Sequence, residues 1–209
     1  MNNIFNMDSK LMGYLRVFTN LLWLNILTVI CSLPIITIGV SFTAMHTVLF
    51  QIRKNDEDSI TRNFFKAFKE NLIQSTIIWM IYLIYYGVLL FNFNLIANQV
   101  LILPNLIIWV LFFLLMVTTI SLVWVFILQS HYRNSIFTTV KNSFIIAIAN
   151  LGSTIVMLLL FIAPFVLLFF MGNLEPIVLF LGFAVPGYLQ TSIYRGVFDK
   201  IESEDFTSQ

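Results

Sequence analysis

Trp79, Tyr82 and Tyr86 stand at i, i+3 and i+7, a spacing that on a helix makes one aromatic stripe. Sugar rings stack on such faces, with Asn92, Asn94 or Gln190 available to bond their hydroxyls. The ordinary alternative is packing, because Trp and Tyr gather at membrane interfaces and between helices. His46 and His131 are the only histidines, and without neighbouring carboxylates they make a poor metal or acid–base set. For His46 the ordinary reading is a hydrogen bond to an adjacent helix. Asn71, Asn150, Ala149 and Ser153 have the chemistry of interhelical glue, since small residues permit close approach and amides bond across it. Pro164 and Pro186-Gly187 interrupt apolar runs, and broken helices free backbone groups that often border a substrate path. Kinks at proline also occur without any path. The substrate-path candidates are therefore Trp79, Tyr82, Tyr86, His46, Asn71, Asn150 and Gln190.

Other chemistries lack their residues. The apolar stretches contain no Asp, Glu, Lys or Arg, which disfavours proton or sodium coupling. No GxxxxGK[ST] run exists to hold ATP phosphates, and no nucleophile–base pair is visible. No catalytic, cofactor-binding or metal residue is therefore expected, and the chain reads as a non-enzyme. Cys31 stands alone, so no internal disulfide forms, and the bulky Ile30 before it speaks against a lipid-accepting cysteine. Net charge is +1 with no basic run, so nucleic acid is not an expected partner.

The elements that must position these residues follow from how charge is distributed. Of 209 residues, 59% are hydrophobic and 10% charged, against roughly 25% charged in a soluble domain. The uncharged stretches Val17 to Ile52, Asn71 to Tyr132, Asn142 to Leu174 and Pro176 to Tyr194 together hold 150 residues, so all 21 charges crowd into the other 59. A bilayer demands that segregation, because an ionised group near its centre costs about 2.5–3.5 kcal/mol on insertion scales. The expected fold is an all-α polytopic transmembrane bundle, a single membrane domain over residues 1–209.

At about 20 residues per crossing, the stretches allow about six spans: 17–33, 37–52, 72–91, 101–129, 143–170 and 176–194. The first two form a short pair broken at Leu33-Pro34-Ile-Ile-Thr-Ile-Gly39, and a re-entrant helix over 37–52 is the alternative. The run Phe91 to Gln99 reads as a polar connector, and 143–170 as one long or kinked helix around Pro164. With six spans and a cytoplasmic N-terminal segment 1–16, all 11 Lys and Arg fall inside; five spans give 9 against 2. The tail 195–209 is then cytoplasmic too. Residues 61–71 form a cytoplasmic amphipathic helix capped by Ser59 or Thr61, with Phe64, Phe65, Phe68 and Leu72 on one face and Lys66, Lys69 and Glu70 on the other. An echo at an offset of 79 residues pairs Arg62-Asn63 with Lys141-Asn142, Phe65 with Phe144, Asn71-Leu72 with Asn150-Leu151 and Ser75 with Thr154. Either chance or an internal helix-loop-helix repeat produces such an echo.

The run Cys31-Ser-Leu-Pro-Ile-Ile-Thr-Ile-Gly39, then Phe42-Thr-Ala-Met45, a charged turn and Asn63-Phe-Phe-Lys-Ala-Phe-Lys-Glu-Asn-Leu-Ile-Gln-Ser-Thr76 resembles the YesL family. That is a group of bacterial integral membrane proteins carrying a domain of unknown function, and the resemblance is most specific over residues 20–80. It implies a bacterial cytoplasmic membrane, multi-pass location and a link to carbohydrate uptake and use, and it brings no site residues. The expected function is a non-catalytic protein accessory to carbohydrate uptake through contact with a transporter or sensor subunit. The alternative is a self-sufficient sugar channel or facilitator. The lipid bilayer is an expected partner, and a second copy of the chain, giving a homo-oligomer, is a further candidate.

Overall fold

The computed structural model describes residues 2–54, 59–99, 104–170 and 181–207, and among them every regular element is helical. In chain order these are α1 (Asn2–Ser32), a 3-10 turn (Ile35–Thr37), α2 (Ile38–Lys54), α3 (Ile60–Ala97), α4 (Asn105–His131), α5 (Ile136–Ala149), α6 (Leu151–Phe170) and α7 (Ala184–Thr207). By length and composition, four or five of these can cross a membrane: Leu11–Ser32, Ile35–Lys54, α3, α4 and, if the bent pair counts as one, α5 with α6. The fold is thus the helical bundle that charge segregation predicts, and the chain reads as a membrane protein. The surface carries the same message. Large apolar side chains such as Trp109 (70% exposed) and Phe113 (64%) face outward, where hydrocarbon satisfies them and water would not.

The turn at the start of α2 follows from Pro34, which lacks an N–H and cannot continue α1. Thr37 Oγ1 donates within it, lying 2.6 Å from the Cys31 carbonyl and 2.9 Å from that of Pro34. From there α2 runs back through the middle of the bundle, with ten of its 17 residues buried. Its hydroxyls do not go unpaired: Ser41, Thr43 and Thr47 donate to the carbonyls of Thr37, Gly39 and Thr43 at 2.9–3.0 Å. Gly39 brings α2, α3 and α4 together, because a Cβ there would lie 2.7 Å from both a Phe126 ring carbon and Trp79 Cβ. Two apolar clusters flank this centre. One joins Leu24, Met45, Leu49, Ile52 and Phe64 from α1, α2 and α3; the other joins Trp124, Ile127, Met157, Tyr194 and Phe198 from α4, α6 and α7.

Several expected boundaries change. The apolar segment expected as one helix over 143–170 is two, α5 and α6, bent by 107° at Asn150. The break therefore falls well before Pro164, which sits inside α6. The amphipathic segment 61–71 runs without a breaker into span 72–91, as expected, and what changes is the far end, where this one helix, α3, continues through most of the expected Phe91–Gln99 connector. Of the apolar face expected on that segment, Phe64 is buried, while Phe65 and Leu72 remain exposed. Its inner face is instead Ile60, Phe64 and Ala67, packed on α1 and α2. Residues 195–207 of the expected tail extend α7 as helix. The start of the expected span 176–194, like residues 101–103 of span 101–129, lies outside the described residues.

Candidate functional site

Phe42 and His46 are one turn apart on α2 and so share a face. That face, with Thr28 and Ser32 of α1, Trp79 of α3, Phe126 of α4 and Phe161 of α6, lines a chamber of about 560 Å³ inside the bundle. Phe165, Phe183 and Gln190 complete its far wall. The volume lies within the roughly 300–1,000 Å³ of small-molecule sites. Aromatic edges and faces interlock around it: Phe42 meets Phe183 edge-on at 5.5 Å between centroids, Phe165 meets Phe183 at 5.8 Å, and Trp79 meets Phe126 at 6.2 Å.

Most polar groups on these walls are already engaged. Trp79 Nε1 donates to the Ile35 carbonyl at 2.7 Å, Thr28 Oγ1 to that of Leu24 at 2.8 Å, and Gln190 Nε2 to that of Met157 at 2.8 Å. His46 Nδ1 and Ser32 Oγ are different, since both are buried without a hydrogen-bond partner. Burial of an unsatisfied polar atom costs about 1–3 kcal/mol, a cost that the packing around these two residues must offset. Among the described residues lining the chamber none is acidic or basic apart from His46. The arrangement suits binding of a neutral, mainly apolar molecule. Along α2 toward Arg53 and Lys54, Met45, Leu49 and Ile52 are fully buried, and α7 comes close through Gly187, whose Cβ would meet Leu49 Cδ1 at 2.8 Å.

The expected path residues separate into four places. His46, Trp79 and Gln190 meet in the chamber. Tyr82 and Tyr86 do not join them, because their hydroxyls bond α4: Tyr82 to Ser121 Oγ at 2.7 Å and Tyr86 to Thr119 Oγ1 at 3.1 Å. The stripe is thus divided, Trp79 to the chamber and the tyrosines to a helix interface that continues from Ser121 Oγ to Ser143 Oγ of α5 at 2.6 Å. Asn92 is bonded to the Val88 carbonyl of its own helix.

Asn71 does bridge helices, as its Oδ1 accepts from Gln129 Nε2 of α4 at 3.2 Å and Gln129 Oε1 accepts from Thr139 of α5 at 3.2 Å. It also borders a separate polar crevice of about 550 Å³ with Gln74, Gln129 and Arg133. Asn150 bonds only back along its helix, to the Ile146 carbonyl at 3.2 Å, and Ala149 is exposed, so neither acts as the expected glue. His131 stacks on Phe198 with centroids 4.8 Å apart and lies 3.4 Å from Glu202.

Sequence reasoning missed Ser32, Phe42 and Asn25. Phe42 was legible as the i−4 neighbour of His46. Ser32 had no periodic signal, and Asn25 finds its partners more than 150 residues away, where its Oδ1 accepts the N–H groups of Phe183 and Ala184, each at 2.8 Å.

No curated protein and no solved structure matches the chain. Residues 17–93, which supply Ser32, Phe42, His46 and Trp79 to the chamber, match the family described as "Protein of unknown function, DUF624".

Proposed function

We propose that the chain is a non-catalytic, YesL-like protein of the bacterial cytoplasmic membrane, with both termini cytoplasmic, that assists carbohydrate uptake or use by contact with a transporter or sensor subunit. The carbohydrate link comes from the resemblance over residues 20–80, which overlaps the matched family segment 17–93. The observation that supports the accessory role is the tight packing of α2 beyond the chamber, where Met45, Leu49 and Ile52 are fully buried. A conduit needs a route past that packing, and an accessory subunit does not. Affinity purification in mild detergent should recover a sugar-permease or sensor subunit, and repeated recovery of neither overturns the reading.

The rival is a self-sufficient facilitator, favoured by the aromatic walls around Trp79 and Gln190. Liposomes holding the purified chain decide between them. The accessory reading expects no uptake of labelled sugar above empty liposomes; uptake abolished by Trp79→Ala with Gln190→Ala establishes the rival.

A further inference from the structure

We propose that α1 and α2 form a re-entrant hairpin whose tip, Leu33 to Thr37, turns near the middle of the bilayer, so that neither helix crosses it. The depth of that tip is independent of the accessory role and of which membrane face is cytoplasmic.

Helix α3 supplies the ruler. Its last ionised residues, Lys69 and Glu70, are exposed, and Glu70 meets Arg133, just past the end of α4, at 3.4 Å. Both helices therefore leave the hydrocarbon at this level. From Glu70 to Phe91 the helix rises about 32 Å at 1.5 Å per residue, which matches a hydrocarbon core of about 30 Å. Trp79 then lies about 14 Å in, close to the midplane.

The hairpin is tied to α3 at that depth. Thr43 Oγ1 lies 2.9 Å from Ser75 Oγ, a Cβ on Gly39 would lie 2.7 Å from Trp79 Cβ, and Trp79 Nε1 donates to the Ile35 carbonyl at 2.7 Å. The turn thus stands level with Trp79, while α3 runs on to Ala97, about 27 Å further. A helix tilt of about 40° shortens that excess to about 21 Å and still leaves the turn far short of the outer surface.

The tip also has the chemistry of a turn in hydrocarbon. Leu33, Ile35 and Ile36 are 75%, 64% and 56% exposed. Thr37 Oγ1 donates to the Cys31 and Pro34 carbonyls, the Thr37 N–H bonds that of Pro34, and Pro34 has no N–H to satisfy. Non-helical backbone at membrane depth persists only where its polar groups find protein partners. Raising the tip to the outer surface would draw Arg62, Lys66, Lys69 and Glu70 into the core, at about 2.5–3.5 kcal/mol for a central Lys or Arg, and push Ile84, Val88 and Phe91 into water. Ser32, Leu33 and Trp79 line the chamber, so that end of it sits near the membrane midplane rather than at an aqueous surface.

Cysteine reactivity in proteoliposomes, with a charged maleimide supplied to both faces, tests the depth. The native Cys31 stays in place, and its rate, measured on the unaltered chain, is subtracted. Asn98→Cys, at the outer end of α3, should react, and Leu33→Cys and Ile36→Cys about a hundredfold more slowly, because the charged reagent must enter hydrocarbon to reach them. All three side chains are exposed, so the substitutions remove no core packing, and labelling in dodecyl sulfate shows that each thiol is intact. Rates at Leu33→Cys or Ile36→Cys less than about tenfold below that of Asn98→Cys overturn the proposal. Neither result bears on whether a permease or sensor subunit co-purifies, so this inference and the accessory role fail separately.

Discussion

Asn25 lies in the apolar run of α1 and is completely buried, a placement that costs free energy unless its amide is used. Its Oδ1 takes the N–H groups of Phe183 and Ala184 at the start of α7, where a helix leaves donors without intrahelical partners. Asn25→Ala should strand both donors and lower stability by about 1–3 kcal/mol, read as a lower melting temperature in detergent by fluorescence-detected size exclusion. Glycines give a contrast in sign. Gly39→Ala places a methyl 2.7 Å from Phe126 and Trp79 and should cost about 1–3 kcal/mol. Gly87→Ala, in open space on α3, meets nothing within 4 Å and should stabilise by about 0.5–1 kcal/mol through helix propensity. Equal shifts for the two would refute the close approach at Gly39. The bridging role of Asn71 was readable from residue type, whereas Gly39, expected at the break, lies inside α2 and serves close approach instead. The pairing of Asn25 was not readable, since nothing local marks a partner in α7.

At the level of elements, α3 and the α5–α6 pair take different courses although their sequences echo one another at the 79-residue offset. Asn71 Nδ2 donates to the Ala67 carbonyl and Asn150 Nδ2 to the Ile146 carbonyl, positions equivalent under the 79-residue offset. Yet α3 runs straight on through Leu72, while the chain turns by 107° after Asn150. What differs is the neighbour at the next turn. Ser75 bonds Thr43 of α2 at 2.9 Å, whereas Thr154 accepts from Trp124 Nε1 of α4 at 2.8 Å and lies 2.9 Å from the Ala147 carbonyl that the break exposes. Thr154→Val removes both contacts and should cost about 1–3 kcal/mol. The bend itself is measurable. Spin labels at Phe137 and Phe169, which are 78% and 84% exposed, should lie about 30 Å apart, where a straight helix would hold them about 48 Å apart at 1.5 Å per residue. Pro164 is the residue whose type signals a break, but a proline is accommodated inside a helix when its neighbours absorb the lost bond, and the break falls where side chains satisfy the freed carbonyls.

Taken whole, the molecule buries an apolar core stitched by hydroxyls and amides, and it also leaves large Phe, Trp, Ile and Leu side chains outside, where a soluble protein would keep few. Detergent removal should therefore precipitate the purified chain, and a monodisperse detergent-free sample would refute its membrane setting. Cysteines at Lys66 and Lys200 should label from one side of a sealed vesicle and a cysteine at Phe91 from the other, checking the sidedness that the charges imply. The helical class and the membrane setting were determined by the sequence alone, because exclusion of charge from hydrocarbon acts on each segment separately and is written along one dimension. The turn at Pro34 was legible for the same reason, a missing N–H being a local fact. Which way each helix faces was decided only in three dimensions. α4 is apolar on every side, so its pattern carries no direction, and α3 divides Trp79 from Tyr82 according to which neighbour stands beside each. The chamber belongs to that second kind of information: His46, Ser32, Trp79 and Gln190 come from four helices, and only their packing brings them around a common space.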